Sequence, residues 1–229
     1  MSALTWYNKN WPKVGIVGSA ALAGALAWGG DRMSRTQAFA VANLATLGAH
    51  QYEEHVYPGY FGGVFNRYLR NSDSPDNYPV DARTAMIINT VMAYPFTAAP
   101  ALFPNNKWLA LGNALFGFTQ TLGHCVAIPA KSKVPYVPGA VTALFIYAPL
   151  GAAWLREQAR TNGPYTRADI AKGIACTLGF AVVGLALPQK LLADKNSPYR
   201  AQPYQVNIPE WNHMGTRPAP LPTATEDQA

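Results

Sequence analysis

Two imidazoles and two carboxylates lie within six consecutive residues, near the end of a long uncharged segment. The run reads His50-Gln-Tyr-Glu53-Glu54-His55. The chain of 229 residues has only 4 histidines and 12 acidic residues, so this run is rich in groups that ionise. Such groups are costly to bury in an apolar helix unless they are paired, and buried ones usually have a function. The run is therefore the first candidate for a functional site.

The spacing of these residues brings three of them to one surface. At about 100° per residue, positions 50, 53 and 54 share one face of a helix, whereas His55 is expected to point well away from it. Imidazole and carboxylate groups are the usual ligands of zinc and iron in proteins. They also serve as general acids and bases. This face therefore predicts either a metal site or acid–base chemistry.

A second polar stripe lies on another uncharged segment. Asn113, Gly117, Gln120 and His124 recur on one narrow face of a helix. A stripe that faced lipid would leave its hydrogen-bonding groups unsatisfied, so we expect the two stripes to face each other. His124 would then supply the partner that a single helix lacks.

The predicted site residues have overlapping roles. The candidate metal ligands are His50, Glu53, Glu54 and His124. The candidate catalytic residues are Glu53, Glu54, His124 and Tyr136. We expect Gln120 and Asn89 to orient these groups, and Tyr136 and Thr142 to close the site from a neighbouring helix.

Six apolar segments must position these residues. They are 17 to 24 residues long, at 14–30, 34–57, 84–103, 108–128, 136–155 and 170–192. About 20 apolar residues in a helix cross a bilayer, and segments without a polar face have nothing to offer water. The sequence therefore predicts an all-α, polytopic integral membrane bundle of about six transmembrane helices, in preference to a soluble bundle with buried helices.

The remainder of the chain is polar. A segment at 1–13 precedes the transmembrane domain (14–192), and a Pro-rich tail (193–229), expected to be extended or disordered, follows it. Only 13% of residues are charged, against about 25% in soluble domains. The basic residues are scattered, which argues against nucleic-acid binding and favours contact with membrane lipids. Cys125 and Cys176 lie in apolar segments and are expected to be buried free thiols.

The predicted topology brings the candidate residues to one membrane depth. Six spans place both termini on the same side, which has 11 of the 18 Lys and Arg residues. The positive-inside rule then predicts cytoplasmic termini. The residues that approach this terminal side are His50, Glu53, Glu54, Asn89, His124 and Tyr136.

Three short motifs resemble those of a family of uncharacterised membrane proteins named for its HXXEE motif. His50-Gln-Tyr-Glu53-Glu54 matches that motif, and Tyr136-Val-Pro-Gly139-Ala-Val-Thr142 matches the family's Tyr-x-Pro-Gly-x-x-Thr motif. The Asn-x-x-x-His motif is met in part, because Gln120 stands where the family has Asn, four residues before His124. The resemblance implies that these residues form one site, and it implies no activity.

Several functions remain open from the residues alone. The leading interpretation is a membrane-embedded enzyme that acts on a hydrophobic or lipid-like small molecule, assisted by a transition metal such as zinc or iron. A carboxylate in a dry pocket also supports acid–base catalysis without a metal. The alternative is a small transporter or a ligand- or ion-binding protein that uses the same Glu/His site. If none of these functions applies, the His and Glu side chains would have a purely structural role and would join helices by hydrogen bonds.

Overall fold

The computed structural model describes residues 3–212, and this part of the chain is all-α, without strands. Its eight helices are α1 (Ala3–Gly29), α2 (Arg35–His55), α3 (61–69), α4 (Ala82–Leu102), α5 (107–132), α6 (140–162), α7 (Arg167–Leu191) and α8 (Pro203–Val206). The predicted fold class is confirmed at this level. Each of the six predicted apolar segments contributes to one long helix.

The helix boundaries differ from the predicted ones where local signals are strong. α1 begins at Ala3 because its first turns are amphipathic, with Asn8 and Trp11 buried. Ser34 caps α2, since its side chain accepts a hydrogen bond from the amide of Gln37. α6 begins only at residue 140, because Gly139 before it has a left-handed conformation with φ 101°. Residues 58–83, between the second and third apolar segments, contain α3.

The described part of the C-terminal tail is ordered, which corrects the expectation that it is extended or disordered. The Ser197 hydroxyl donates to the buried carboxylate of Asp81. The side chain of Gln205, on α8, donates to the carbonyl of His55 at 2.9 Å. Asn212 is fully buried against Tyr60. The prediction for 213–229 lies outside the described residues.

Four long helices contain a widened turn with the π-helical hydrogen-bond pattern. These turns are Ile87–Met92, Gly123–Ala127, Ala143–Tyr147 and Ala181–Ala186. A proline follows each turn by two or three residues: Pro95, Pro129, Pro149 and Pro188. Proline has no amide hydrogen and clashes with the carbonyl four residues earlier, and a π turn absorbs both defects. The prolines therefore reshape these helices without ending them.

Three helices are long and apolar enough to cross a membrane: Ala3–Arg32, Ala82–Leu102 and Arg167–Leu191. Large apolar side chains also face outward on α5 and α6, for example Leu122 and Phe145, which are 60% and 69% exposed. Such a surface is costly in water and favourable in lipid. These features indicate a membrane protein. Both cysteines are free thiols, as predicted, and are partly buried.

Helix α2 lies in the middle of the bundle, where it contacts α1, α4 and α6. Its contact with α1 is close because Gly48 has no side chain. A Cβ atom there would lie 2.1 Å from the hydroxyl of Ser19 and 2.7 Å from the carbonyl of Gly15. Close backbone approach through small residues is the usual way in which membrane helices associate. The contact sets the position of the last turn of α2, which contains the candidate site.

Replacing Gly48 by Ala is expected to destabilise the protein by about 1–3 kcal/mol or more, because the Cβ would strike backbone that cannot move. Gly24→Ala on the neighbouring helix is the matched control, since a Cβ atom there meets nothing within 4 Å. It should stabilise the helix by about 0.5–1 kcal/mol. Thermal unfolding of the two variants in detergent checks the difference. Equal stability of the two would show that α1 and α2 are not in close contact.

Candidate metal centre

His50, Glu54 and His124 form one buried cluster that joins α2 to α5. The Oε1 atom of Glu54 lies 3.5 Å from His50 Nε2 and 3.2 Å from His124 Nε2. Each residue offers one ligand atom, and the three atoms lie within 4.8 Å of one another. The side chains are at most 9% exposed. The predicted meeting of the two polar stripes is thereby confirmed.

A hydrogen-bond chain fixes the orientation of the His50 ring. The hydroxyl of Thr142 lies 2.6 Å from Glu53 Oε2 and 2.9 Å from His50 Nδ1. A hydroxyl has one proton, and the short contact to a carboxylate oxygen requires it. The Nδ1 atom of His50 therefore carries hydrogen and donates to Thr142. In the neutral ring, the lone pair is then on Nε2, the atom that faces Glu54.

Two imidazole nitrogens in this cluster have no hydrogen-bond partner among the described residues. They are His50 Nε2 and His124 Nδ1, and both are buried. A buried polar atom without a partner is uncommon, and it often marks a site that binds something else. The free Nε2 of His50 is the atom that the Glu53–Thr142 pair leaves unprotonated. This arrangement is typical of a metal-ligating histidine whose other nitrogen donates to an outer group.

Glu53 does not join this cluster, because its carboxylate binds the first turn of α6. Its two oxygens accept hydrogen bonds from the amides of Val141 and Thr142, at 3.0 and 2.8 Å. They also accept from the hydroxyls of Thr142 and Tyr136, at 2.6 and 2.8 Å. The Glu53 carboxylate, which comes from α2, thus acts as the N-cap of α6. The helix dipole favours negative charge at this position. These contacts hold Glu53 and Tyr136 against the start of α6.

Gly139 allows the two imidazoles to pack against the entrance of α6. A Cβ atom at this position would lie 2.7 Å from His124 Nδ1 and 2.8 Å from His50 Cε1. The residue also has φ 101°, which side chains rarely adopt. The Tyr-x-Pro-Gly-x-x-Thr motif therefore supplies all four donors to Glu53, the space for both rings, and the bend that starts the helix.

His55 is buried, contrary to the expectation that it points well away from the site. Its Nε2 atom lies 3.7 Å from Oε2 of Glu54, the oxygen opposite to the one that meets the other imidazoles. Its ring contacts Trp11, with centroids 4.9 Å apart. The reason is that the face of α2 on which His55 lies, away from His50, is covered by neighbouring helices. α1 and α3, which approach from outside, cover it.

The two amides predicted to orient the ligands have different surroundings. Asn89 accepts a hydrogen bond from Gln51, through both its backbone and side-chain oxygens, at 2.9 and 3.2 Å. Gln120 lies in the wall of the cavity beside His124. Asn113 is further from the cluster, where it accepts from Asn43 of α2 at 3.3 Å. This hydrogen bond joins the two polar stripes at a second point, outside the cluster.

Three contributors to the site were missed by the sequence analysis. Phe61 of α3 covers His124, with ring centroids 4.8 Å apart. Tyr147 of α6 lies edge-on to His50 at 5.4 Å. Asn212 donates to the hydroxyl of Tyr60 at 2.8 Å and accepts from the amide of Tyr136 at 3.0 Å. An aromatic residue or an amide outside the polar stripes has no pattern that could have marked it.

The donor set fits a transition metal. Zinc binds imidazole nitrogen and carboxylate oxygen at about 2.0–2.1 Å, so that ligand atoms in a tetrahedral site lie about 3.3–3.4 Å apart. The distances from Glu54 Oε1 to the two imidazoles, 3.5 and 3.2 Å, are close to this value. Two imidazoles and one carboxylate would leave a fourth position open on a tetrahedral ion.

The cluster opens into a cavity of about 280 Å³. The wall is mainly apolar, with Leu47 and Ile88 as examples, and the imidazoles and Glu54 form its polar part. A largely apolar pocket with a few convergent polar groups is the usual form of a small-molecule site. The arrangement can therefore hold a hydrophobic molecule against a group of buried ligands.

Thr142→Val should lower the free energy of unfolding by about 1.5–3 kcal/mol, because it removes a donor from Glu53 and the acceptor of His50. Thr142→Ser keeps both hydrogen bonds, so its free energy of unfolding should fall much less. Thr119→Val is a control for the loss of a hydroxyl, since Thr119 donates only to the Phe116 carbonyl in its own helix. Denaturant unfolding in detergent measures all three. A Thr142→Val protein as stable as the control would contradict the hydrogen-bond chain.

Residues 41–154 match the model of a protein family described as "Protein of unknown function with HXXEE motif". The matched region contains the cluster, the capping carboxylate and the entrance of α6, and the resemblance that the motifs indicated is confirmed. No curated protein and no solved structure is significantly similar to the chain.

Proposed function

We propose that this chain, which belongs to the HXXEE family, is a membrane-embedded enzyme with a His50–Glu54–His124 metal centre and a hydrophobic or lipid-like substrate. The observation that carries the proposal is the buried His₂Glu cluster, in which His50 is held with its Nε2 atom free. A binding protein needs affinity alone. A metal site with three protein ligands and an open coordination position can also activate a bound water or substrate molecule.

Preorganisation supports a metal role over a structural one. If the three side chains only tied helices together, each nitrogen would be expected to have a partner. Instead Glu53 and Thr142 orient His50, while its Nε2 atom accepts no hydrogen bond and lies 3.5 Å from Glu54 Oε1. Outer-shell hydrogen bonds of this kind orient ligands and tune metal affinity.

The residues of the centre suggest a division of roles. A bound zinc or iron ion would act as a Lewis acid on an oxygen atom of the substrate. Glu54 presents its second oxygen to His55, at 3.7 Å, so these two groups are placed to accept or return a proton. Phe61, Tyr147 and the apolar cavity wall keep water away and strengthen every electrostatic contact inside.

We further propose that all six long helices cross the membrane, with cytoplasmic termini. Support for α5 and α6 comes from their length and from outward-facing Leu122, Val126 and Phe145, which are exposed in the isolated chain. α2 is the central helix and needs no lipid-facing surface. The uneven distribution of Lys and Arg between the two sides supports the orientation.

Metal analysis of the detergent-purified chain tests the centre. About one zinc or iron ion per chain is expected in the wild type, and this content should be lost in His50→Ala and His124→Ala, because a three-ligand site does not survive loss of an imidazole. Glu54→Gln should weaken binding strongly. The measurement is elemental analysis after exposure to each metal and removal of the excess.

His55→Ala is the matched control, because His55 is equally buried but lies beside the outer oxygen of Glu54. It should retain the metal. Gel filtration shows whether each variant is folded. A wild-type chain that binds neither metal would refute the metal centre and leave metal-free acid–base chemistry at the same residues.

Cysteine labelling tests the topology at α5, which is outside the three most apolar helices. In a background with Cys125→Ala and Cys176→Ala, single cysteines replace Asn105 and Lys131, at opposite ends of α5. With the chain in a bacterial plasma membrane, an impermeant maleimide should label position 105 in intact cells and position 131 only after lysis. Labelling of both, or of neither, in intact cells would contradict the proposed crossing.

A further inference from the structure

The cavity beside the cluster has an apolar end that is closed by aromatic rings. Leu47, Ala93, Phe116 and Leu185 line this end, and each comes from a different helix: α2, α4, α5 and α7. The ring of Phe116 packs edge-on against that of Phe180, with centroids 5.1 Å apart. This pair forms a rigid floor, which we call the aromatic floor.

The floor lies deep in the bundle, away from the terminal side. Phe116 precedes His124 on α5 by two turns, which corresponds to about 12 Å at 1.5 Å per residue. Leu47 likewise precedes His50 on α2, and Leu185 precedes Gln189, which also lines the cavity, on α7. The cavity wall therefore extends from the cluster along the bundle axis to Phe116.

The opposite end of the cavity is polar, and one of its amides has a free acceptor. Asn8 of α1 lines this end, is 6% exposed, and its Oδ1 atom has no hydrogen-bond partner among the described residues. Two other amides in the cavity wall are already engaged: Asn66 donates to the carbonyls of Pro75 and Val80, and Gln205 donates to the carbonyl of His55. A buried acceptor without a donor indicates a ligand that supplies one.

The volume of the cavity limits the ligand to one hydrocarbon chain. Pockets that enclose drug-sized ligands measure about 300–1,000 Å³, and this cavity of about 280 Å³ is at the lower limit. A two-chain phospholipid is too large to be enclosed. A single chain on the aromatic floor would place its head group near the polar end, with the cluster of His50, Glu54 and His124 in the wall between.

We propose that the cavity binds a single-chain amphiphile whose chain ends on Phe116 and whose head group donates a hydrogen bond from a hydroxyl or amide to Asn8. This names the substrate class of the proposed enzyme and rests on that function, but the binding itself requires no metal. Phe116 is then the residue that determines chain length, and Asn8 is the residue that recognises the head group.

Ligand-induced stabilisation of the full chain in amphipol tests the chain-length role. The probes are 1-monoacylglycerols with octanoyl, lauroyl and palmitoyl chains, since a ligand that binds the folded state raises the unfolding temperature. Phe116→Leu deepens the cavity and should shift the preference to a longer chain, whereas Phe116→Trp should shift it to a shorter one. Phe103→Leu, at an exposed position, should leave it unchanged. An unchanged preference in both Phe116 variants would overturn the proposal, as would equal stabilisation by a two-chain phosphatidylcholine.

The matched fatty acid methyl esters test the head-group role, because they lack a donor. The wild type should prefer the monoacylglycerol, and Asn8→Ala should reduce this preference about fivefold, the effect of one neutral hydrogen bond. Asn10→Ala is the control, since Asn10 donates only to the Trp6 carbonyl in its own helix, at 2.9 Å. A full preference in Asn8→Ala would overturn the assignment of Asn8.

The metal content of each variant is measured in parallel. A protein without metal that still changes its chain preference with residue 116 would support the amphiphile site while refuting the metal centre. A protein that binds metal without any chain preference would refute the amphiphile site alone.

Discussion

The burial of the Glu53 carboxylate against the first turn of α6 is the contact on which the rest of the site depends. An ionised carboxylate in an apolar bundle needs compensation for the water it loses, and four donors together with a helix N-terminus supply it. A hydrogen bond to a charged group typically contributes about 1.5–3 kcal/mol. The same contact joins α2 to α6 and places the Thr142 hydroxyl beside His50. The orientation of the His50 ring, with Nε2 toward the cluster, follows from it.

Small residues and widened turns make this geometry possible in a chain with few charges. Gly48 brings α1 against α2, and Gly139 brings the α6 entrance against two imidazoles. His124 itself lies in a π turn, which ends one residue before Ile128-Pro129. Such turns are common at functional sites because they redirect side chains without ending the helix. Packing and backbone shape thus hold the side chains of the cluster in place, so that the site is formed before anything binds to it.

The sequence was informative where residue type and spacing carry the chemistry. His50 and Glu54 on one helix and His124 on another could be paired because polar stripes on apolar helices have to meet. The separate role of Glu53 could not be foreseen, because two adjacent glutamates have the same chemistry, and only the position of α6 distinguishes them. The burial of His55 could not be foreseen, because the sequence does not show that α1 and α3 cover that face of α2. The tail was expected to be disordered from its composition, yet Asn212 satisfies the backbone of Tyr136 in a contact 76 residues apart in sequence.

The most direct test of the central claim is the protonation site of His50 in the metal-free chain. Nitrogen NMR of protein labelled in its four histidines distinguishes the two ring nitrogens, and His50→Gln assigns the signal. We expect hydrogen on Nδ1 and a bare Nε2 in the wild type, with loss of that tautomer in Thr142→Val. Hydrogen on Nε2 of His50 in the wild type would contradict the chain from Glu53 through Thr142, and with it the preorganised metal centre.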